Sequence, residues 1–322
     1  MIELGIEIMP EMPVAEVVDT IRAAEEIGYS YCLLTDEGLM REVYAVLTAA
    51  ALRTSRIMIS PVTNGYTRHP ALTAAGTATL NEISGGRAFV TLVAGGSMVL
   101  QPLGIERQSP LQVVKETIQI LRSLWSGETI TWQGEKYRLD RARLNAPAGQ
   151  LPIWVAARGS GMLSLAGKEA DGVVLMGKSD LPDALSIVEQ SSAGRAGQPK
   201  RIYLDRIAFT PEMVKEAAAL YVYSILDTPA RMLNNLGITE EERKIIQSAL
   251  ETQGEAAAAQ LITAEMIQKF QVAGEPEECK QILEDLISRH RLDIFLLDIV
   301  SGGLDANIRL MQDTYHLIQA AA

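Results

Sequence analysis

The stretch IMISPVTNGYTRHP, residues 57–70, joins the pattern of a buried strand to a strongly polar loop. Its first half is apolar, with β-branched Ile57 and Ile59, and therefore predicts a short buried strand. Pro61 cannot donate a hydrogen bond to a neighbouring strand, so it predicts a bulge or an abrupt end there. Six hydrogen-bonding side chains follow within residues 63–69, which is typical of an active-site rim; a polar surface turn before a helix is the alternative.

The same unit of strand and loop recurs outward from this stretch along the chain. Eight strand patterns begin near residues 2, 31, 57, 87, 152, 172, 202 and 293, and a helical pattern follows each of them. Alternating strands and helices predict a parallel sheet with helical crossovers. Eight such units, at about 250 core residues, predict an α/β fold of the (β/α)8 TIM-barrel type; a doubly wound open sheet is the alternative.

Two segments interrupt the repeat. Residues 127–150 predict a short hairpin around Gln133-Gly134. Residues 228–270 carry no strand pattern and are rich in Ala, Glu and Gln at helical spacing, which predicts extra helices. Because no linker composition separates these segments from the rest, we expect a single domain over residues 1–322, with both segments as insertions on the barrel rim.

Composition narrows the class of function. The net charge of −11 over 322 residues argues against nucleic acid and against an anionic membrane surface as partners. The sequence has no signal-peptide pattern and no apolar run long enough to span a bilayer. Cys32 and Cys279 match no metal or redox spacing, and the three histidines form no ligand cluster. We therefore expect a cytoplasmic protein without a metal site.

A barrel builds its site at the C-terminal ends of the strands. The strict alternation of the first strand puts Leu4, Ile6 and Ile8 on one face and Glu7 on the other. An inward Glu7 would have a pKa raised by burial, which suits an acid–base or anchoring role. A structural ion pair with an inward arginine such as Arg206 is the alternative. The candidate set also takes in polar or glycine residues that follow other strands: Thr35, Asp36, Glu37, residues 63–69, Gly95, Gly96, Ser97, Gly177, Lys178, Ser179 and residues 301–303, of which residue 301 lies outside the residues that the structure describes.

The segment RGSGM, residues 158–162, is a glycine-rich turn that opens a helix. Free backbone N–H groups, the helix dipole and the Ser160 hydroxyl would form an anion site there. Gly177 and Lys178 at the next strand end would add a cation beside it. The sequence offers no nucleophile elbow, P-loop, metal cluster or inward strand lysine, so we expect a bound cofactor to carry the chemistry.

Several segments match the pattern of a known family. They are GIE (5–7), TD (35–36), VTNGYTRHP (62–70), NEISGGR (81–87), PIWVAA (152–157) and GEPEE (274–278). On these segments the chain resembles the bacterial-luciferase-like flavin and deazaflavin oxidoreductases, and within them the methylenetetrahydromethanopterin reductases that use coenzyme F420. The resemblance covers nearly the whole length, and the segments at 62–70 and 81–87 are the most specific.

The resemblance implies a reaction and a cofactor. The reaction is hydride transfer between the deazaflavin C5 of coenzyme F420 and a one-carbon pterin carrier such as methylenetetrahydromethanopterin, or a related small-molecule substrate. The resemblance also implies a homodimer or homotetramer. It places a non-prolyl cis peptide at Pro61–Val62, bulging against the deazaflavin ring.

The resemblance further implies roles for individual residues. Glu7 and Asp36 would be catalytic, and Glu37, Tyr66 and His69 would contact the substrate. The cofactor-binding residues that it implies are Pro61, Val62, Thr63, Asn64, Gly95, Gly96, Arg158, Gly159, Ser160, Gly161, Met162, Gly177 and Lys178.

Two positions depart from the family pattern. The family often has histidine after Thr-Asp, where this chain has Glu37. The reductases carry an acidic residue after the glycines of the fourth strand, where this chain has Ser97. These changes leave the cofactor expectation in place and open the choice of substrate. An FMN-dependent monooxygenase of the same superfamily and a non-catalytic flavin-binding barrel are the alternatives.

Overall fold

The computed structural model describes residues 2–37, 39–299 and 302–321. In these residues ten strands are present, eight in a closed barrel and two in a separate hairpin. In chain order they are β1 (Glu3–Ile8), β2 (Tyr31–Thr35), β3 (Met58–Thr63), β4 (Val90–Leu92), β5 (Ile130–Gln133), β6 (Arg138–Ala142), β7 (Ile153–Ala156), β8 (Gly172–Leu175), β9 (Lys200–Asp205) and β10 (Ile294–Ile299).

Helices connect the strands. They are α1 (Val14–Ile27), α2 (Val43–Ala51), α3 (Pro70–Ser84), α4 (Ser97–Leu100), α5 (Pro110–Trp125), α6 (Ser160–Glu169), α7 (Leu181–Ser192), α8 (Pro211–Glu216), α9 (Ala218–Leu226), α10 (Ala230–Leu236), α11 (Glu240–Gln253), α12 (Glu255–Ala259), α13 (Ala264–Phe270), α14 (Pro276–His290) and α15 (Leu304–Ala321). Around the ring the strand order is β1-β2-β3-β4-β7-β8-β9-β10, and β10 pairs with β1. Every barrel pair is parallel, which confirms the predicted (β/α)8 TIM barrel.

Strand β3 runs through Pro61 instead of ending there. Its register with β2 continues from Met58 to Val62, and its pairing with β4 includes Val62 and Thr63. The backbone N–H groups along β3 alternate between the two neighbours, and the missing N–H of Pro61 falls on the β4 side. The strand therefore loses one ladder hydrogen bond and keeps its direction, so the expected bulge or break is wrong.

The expected cis peptide at Pro61–Val62 is also wrong, since no peptide bond among the described residues is cis. The physical reason is the same continuous ladder. The carbonyl of Val62 accepts from Asp36 at 2.9 Å on one side, and the carbonyl of Thr63 accepts from Val93 at 3.0 Å on the other. A trans backbone satisfies both neighbours, whereas a cis non-prolyl bond costs about 3–4 kcal/mol.

Side chains alternate between the barrel interior and the layer beneath the helices. Leu4, Ile6 and Ile8 pack outward among helix residues, which leaves Glu3, Gly5 and Glu7 facing inward. Large apolar side chains fill the middle of the interior: Leu33, Phe89, Trp154, Val174, Ile202 and Leu296. The barrel is therefore a packed core below its mouth.

A polar cluster closes the other end of the barrel. Lys200 Nζ lies 2.7 Å from a Glu3 carboxylate oxygen and donates to the Tyr31 hydroxyl at 3.0 Å. The Tyr31 hydroxyl in turn lies 3.2 Å from both Glu3 oxygens. These three inward residues stand on three different strands and seal the end opposite the cavity described below.

The NEISGGR segment has a structural function. Arg87 donates to the backbone carbonyls of Ala51, Thr54, Ile57 and Ser84 at 2.8–3.1 Å. One guanidinium thus joins the end of α2, the start of β3 and the end of α3. The planar fork of arginine suits this task because it presents five donors in fixed directions.

The two insertions are held differently. The hairpin β5–β6 rests on Glu116 of α5, whose carboxylate accepts the backbone N–H groups of Glu135, Lys136 and Tyr137 at 2.9–3.2 Å. Helices α8–α13 share a second apolar cluster of their own, running from Ala208 to Phe270. This cluster begins before the predicted insertion at residue 228, because α8 and α9 pack with α10–α13.

Candidate active site

A cavity of about 470 Å³ opens at the C-terminal ends of the barrel strands, within the usual size range of ligand sites. Its two walls differ in chemistry. The wall on the side of β3, β4, β7 and β8 is mostly apolar, with Val62, Val93, Ala156, Met162 and Met176, and Asn64 and Arg158 lie at its edges. The wall on the side of β9, β10, β1 and β2 carries charged groups: Glu7, Asp36, Glu37, Arg206 and Asp298. The cavity can therefore hold a flat apolar group against one wall and a polar group against the other.

Glu7 lies on the charged wall, where the alternation of β1 puts it. Its register partner across the parallel pair β1–β10 is Asp298. Arg206, which follows β9, donates its Nε–H to Asp298. Glu7 itself forms no hydrogen bond with any described residue, so the structural pair of Glu7 with Arg206 is absent there and the carboxyl remains available to a ligand.

The environment shifts the acidity of both glutamates. Burial raises the pKa of Glu7 to about 8, helped by the negative charges of Asp298 and Glu37; Arg206 and Arg158 oppose the shift. Burial also raises the pKa of Glu37 to about 7. Two carboxyl groups on this wall therefore hold or exchange a proton near neutral pH, which is the range a general acid or base needs.

Glu37 enters the cavity from the loop after β2. Its Oε2 atom and the Thr35 hydroxyl are both buried, and the hydroxyl interacts weakly with the Glu37 carboxylate, which lowers the pKa of Glu37 slightly against the effect of burial. Neither atom has a further hydrogen-bond partner among the described residues. Buried polar atoms are normally paired, so atoms left open on a cavity wall mark a place for a polar ligand group.

Asp36 borders the cavity with one oxygen already occupied. Its Oδ2 accepts from the Thr63 hydroxyl at 2.7 Å and from Arg68 Nε at 3.2 Å. Arg68 also reaches Glu42 at 2.8 Å. These contacts fix the ends of β2 and β3 relative to each other and orient the loop that carries Glu37.

Arg158 lies two residues beyond the end of β7 and lines the cavity beside the start of α6. Its Nη1 donates to the carbonyl of Ser224 at 3.2 Å, and its Nε lies 2.9 Å from the sulfur of Met176. No described carboxylate forms a salt bridge with it. Helix α6 begins after Gly159 with no side-chain cap, so its first N–H groups are open to a ligand.

Within the RGSGM segment, the cavity wall includes Arg158, Gly159 and Met162, whereas Ser160 and Gly161 lie outside it. An uncapped helix start beside a buried guanidinium without a carboxylate partner fits a phosphate or carboxylate group. The anion site expected from the sequence stays a prediction, and Arg158, Gly159 and Met162 are the residues of this segment that line the cavity.

Gly177 and Lys178 do not line this cavity. Lys178 lies in a separate surface groove between the start of α7 and α14, and a Cβ at Gly177 would meet Met232 at 2.3 Å. The reason is the turn after β8, where Gly177 adopts a positive φ of 83° and directs the chain outward. The expected cation beside the α6 start therefore does not come from Lys178.

The polar loop at 63–69 contributes less to the cavity than its composition predicts. Asn64 and Val62 line the cavity, whereas Pro61, Thr63, Tyr66 and His69 do not. The Asn64 side chain accepts the N–H groups of Tyr66 and Thr67 at 2.9 and 3.0 Å, which turns the chain away from the barrel mouth.

Tyr66 and His69 are used in local structure. The Tyr66 hydroxyl donates to the carbonyl of Gln108 at 2.8 Å. His69 precedes α3, and its Nδ1 accepts from Ala71 N at 3.2 Å as a helix cap; its ring meets the edge of Tyr137. Neither residue lines the cavity, and the Tyr66 hydroxyl and the Nδ1 atom of His69 already have partners in the protein. The substrate contacts of Tyr66 and His69 stay a prediction.

Gly95 and Gly96, after β4, line the cavity as expected. Gly95 has a positive φ of 80°, and a Cβ there would meet Leu100 at 2.9 Å, so the turn requires glycine. Ser97 starts α4 and contacts Asp227, a residue of the helical insertion that borders the cavity. Arg107 reaches the same Asp227 at 3.6 Å.

Three charged residues of the cavity were missed by sequence reasoning: Asp298, Asp227 and Arg107. The strand IFLLDI, residues 294–299, contained the signal for Asp298, because an Asp at even spacing from Ile294 and Leu296 faces inward with them. Asp227 carried no such signal, since it lies 130 positions from Ser97 and only the fold brings the two together.

Two searches of the described residues bear on other kinds of site. No group of three or more His, Cys, Asp and Glu side chains in those residues is placed to hold a metal ion. None of the helices described is both long enough and apolar enough to cross a membrane.

Comparison with known proteins places this geometry in a family. The family described as "Luciferase-like monooxygenase" matches residues 2–290. The 5,10-methylenetetrahydromethanopterin reductase of Archaeoglobus fulgidus is 33% identical over 298 residues, which cover 88% of this chain and 90% of that protein. The 5,10-methylenetetrahydromethanopterin reductase of Methanolobus tindarius is 34% identical over 311 residues, covering 93% of both.

A solved structure shares the fold over the full length. The coenzyme F420 dependent tetrahydromethanopterin reductase from Methanopyrus kandleri superposes with a TM-score of 0.86 at 22% identity, covering 100% of this chain and 99% of that one. The fold, the matched residues and the two relatives agree: this chain belongs to the bacterial-luciferase-like family.

Proposed function

We propose that this protein is an F420-dependent oxidoreductase that transfers a hydride between the deazaflavin C5 and a one-carbon pterin carrier such as methylenetetrahydromethanopterin, or a related substrate. The observation that carries the proposal is the charged wall of the cavity. It holds two glutamates, Glu7 and Glu37, with pKa values raised to about 8 and about 7, opposite an apolar wall that suits a flat ring. The two relatives named above, both reductases of this substrate class, support the same reaction.

The residues present fit the cofactor. Coenzyme F420 has a planar ring and a phosphate, and the ring suits the apolar wall formed by Val62, Val93 and Ala156. The phosphate suits Arg158 and the uncapped start of α6 at Gly159. When bound there in its reduced form, the deazaflavin supplies the hydride.

The protein's own residues supply binding, orientation and proton handling. Glu7 and Glu37 face the polar part of the substrate, and the apolar wall excludes water from the reacting centre. Asp36, bound to Thr63 and Arg68, holds the loop that carries Glu37 in place. In this proposal Asp36 is a positioning residue, although the family resemblance assigns it a catalytic role.

The pocket differs from the reductase pattern at Glu37 and Ser97, and both positions bear on the choice of substrate. In this structure Ser97 meets a carboxylate from elsewhere, that of Asp227. The Asp227 carboxylate thus supplies a negative charge beside the glycines that follow β4, although residue 97 is a serine. This charge is compatible with a substrate that is cationic or that donates a hydrogen bond.

The test is a pair of titrations on the purified protein, one with coenzyme F420 and one with FMN. We expect F420 to bind and FMN not to bind. Arg158→Gln should weaken F420 binding by about tenfold or more, since it removes a charged phosphate contact. Arg122→Gln is the matched control, because Arg122 forms its salt bridge with Asp171, outside the cavity.

Turnover is then followed with reduced F420 and methylenetetrahydromethanopterin, together with other carbonyl or aminal substrates. Tight FMN binding without F420 binding would overturn the proposal in favour of a flavin monooxygenase. Binding of F420 without turnover of any of these substrates would favour a non-catalytic cofactor-binding barrel.

A further inference from the structure

Arg206 brings hydrogen-bond donors to the charged wall of the cavity. It directly follows β9, in which Ile202 and Leu204 face the barrel interior, and the alternation of the strand turns Arg206 inward with them. Both Leu204 and Arg206 line the cavity. Because a guanidinium presents five donors in a fixed fork, the donors that the protein leaves unused are open to a ligand.

Two anchors fix the guanidinium of Arg206. Its Nε–H donates to Asp298 of β10. Its Cζ lies 5.8 Å from the centre of the Tyr221 ring of α9, within the range of a cation–π contact. Tyr221 is buried, and its hydroxyl donates to Gln271 at 2.8 Å. The barrel and the helical insertion therefore hold the group from two directions, so its orientation is set before a ligand arrives.

The two terminal nitrogens of Arg206 are not used by the protein. Neither Nη1 nor Nη2 forms a hydrogen bond with a described residue. Nη1 is buried, whereas Nη2 is unpartnered without being buried, and the side chain keeps 17% of its surface exposed. Since Arg206 lines the cavity, Nη2 is the donor that a ligand in the cavity can reach.

Charge decides which kind of acceptor fits Nη2. The carboxylate of Asp298 already compensates the charge of Arg206. Glu7, the register partner of Asp298, and Glu37 line the same wall, so an anion at Nη2 would stand among carboxyl groups, and like charges brought together are costly. An uncharged carbonyl oxygen accepts from Nη2 without adding a negative charge to this wall.

We propose that Nη2 of Arg206 donates a hydrogen bond to an uncharged carbonyl oxygen of the substrate, which makes Arg206 a specificity-determining residue of the site. The proposal rests on the proposed function and deepens it, because it names a group that the substrate carries: the carbonyl of an amide or of a ring lactam. The substrate is the ligand concerned, since the cofactor ring suits the opposite, apolar wall.

The contact selects substrates by the cost of leaving it unmade. A ligand that covers Arg206 without accepting from it removes water from a charged donor and gives nothing in return. Hydrogen bonds to charged groups are strong enough that their loss weakens binding by about 10- to 100-fold. A substrate that lacks the carbonyl is rejected by the same factor.

The first experiment needs neither cofactor nor turnover. Crystals of the native protein are soaked in N-methylacetamide, which offers an uncharged carbonyl, and in parallel in sodium acetate, which offers an anion. We expect the amide oxygen at about 3 Å from Nη2 and no acetate at that place. Acetate bound to Nη2 would overturn the choice of an uncharged acceptor. Crystals with neither probe at Nη2 would overturn the site itself.

The second experiment compares Arg206→Ala with the native protein, using reduced F420 and methylenetetrahydromethanopterin, whose pterin ring carries a lactam carbonyl. The KM for this substrate should rise by about 10- to 100-fold, whereas the affinity for F420 should stay at the native value. A loss of F420 affinity with an unchanged KM would mean that Arg206 serves the cofactor, and would overturn the proposal.

A second variant separates the lost donor from the carboxylate left behind, because Arg206→Ala leaves Asp298 without its partner. In Arg206→Ala/Asp298→Asn that charge is removed too, and the raised KM should persist. Recovery of the native KM would assign the defect to the unpaired carboxylate and overturn the proposal. Arg201→Ala is the matched control, since Arg201 lies on β9 at the closed end of the barrel and pairs with Glu189.

Thermal unfolding establishes that each variant is folded before its KM is compared. The proposed function and the role of Arg206 fail separately. If F420 does not bind, or if no substrate is turned over, the proposed function falls. The soaked crystals of the native protein still decide whether Arg206 holds an uncharged carbonyl oxygen.

Discussion

Ser97 donates both its backbone N–H and its hydroxyl to the same oxygen of Asp227, at 2.8 and 2.9 Å. Ser97 begins α4 on the barrel rim, and Asp227 lies between α9 and α10 in the helical insertion. This contact joins the insertion to the rim at the mouth of the cavity. Arg231 makes a second connection, donating to the carbonyl of Arg158 at 2.9 Å and to Asp180 at 2.6–2.7 Å.

We expect Asp227→Ala to loosen the insertion at the cavity mouth. The change removes both hydrogen bonds from Ser97 and the ion pair with Arg107, while the Arg231 connection remains. Hydrogen exchange over residues 211–236 should become faster, and the KM for substrate should rise more than kcat falls. Glu240→Ala is the control, because Glu240 is exposed and its side chain forms a salt bridge with Arg243 of its own helix, away from Ser97 and Arg107. Unchanged hydrogen exchange in Asp227→Ala would show that Asp227 does not hold the insertion to the barrel rim.

Glu7 should make the protein less stable in alkaline solution. Its pKa in the folded protein is raised to about 8, above that of an unfolded glutamate. Its contribution to stability is therefore fully present below about pH 4.5 and is lost as pH rises through about 8. As the pH rises from about 6 to about 9, the melting temperature of Glu7→Gln should decline less than that of the native protein. Equal declines in the melting temperatures of the two proteins would show that the pKa of Glu7 is not raised in the folded state.

Glu116 should act in the opposite direction, in acid. Burial favours its neutral form, but hydrogen bonds from Gln112, Trp132 and the hairpin backbone outweigh burial and lower its pKa. The contribution of Glu116 to the stability of the folded protein is present above the ordinary pKa of glutamate. It is lost as the pH falls through the lowered pKa that Glu116 has in the folded protein. Trp132 fluorescence should therefore report loosening of the hairpin in acid, and Glu116→Gln should show this loosening already at neutral pH.

His69→Ala tests whether His69 contacts the substrate or only caps α3. Because His69 caps α3 and lies outside the cavity, its loss should cost about 0.5–1 kcal/mol of stability. Cofactor affinity and the KM for substrate should stay at the native values. A selective rise in KM without loss of stability would instead restore His69 as a substrate contact.

Arg87→Lys tests the structural function of the NEISGGR segment. A lysine cannot reproduce the planar fork that binds four carbonyl groups, so we expect a loss of about 2–4 kcal/mol in urea unfolding. Cofactor affinity in native buffer should be unchanged, because Arg87 lies away from the cavity wall. Arg53→Lys, at an exposed position of the same region, should be neutral and serves as the control.

The fold could be predicted because it depends on local alternation. Each strand is a short apolar run followed by a helical pattern, and eight such units leave few arrangements other than a closed parallel barrel. Glu7 could be placed for the same reason, since Leu4, Ile6 and Ile8 fix which face of β1 is outward.

The site was only partly predictable, because residue type does not reveal whether a polar group is already bound. His69 and Tyr66 look like ligand contacts in the sequence. In the structure the Nδ1 atom of His69 accepts from a backbone N–H at the start of α3, and the Tyr66 hydroxyl donates to the carbonyl of Gln108. Lys178 was misplaced because one glycine with positive φ redirects its loop. The bulge or break predicted at Pro61 is absent, because the missing N–H falls on the side of β4 and costs the strand one ladder hydrogen bond.

The Glu3, Tyr31 and Lys200 cluster has a consequence for the order of events. Because it closes one end of the barrel and large side chains fill the middle, the described residues leave the opposite end as the entrance for ligands. When two ligands occupy this cavity together, the deeper one must arrive first and depart last. The architecture thus favours an ordered sequential scheme, with the shallower ligand binding second and its product released first.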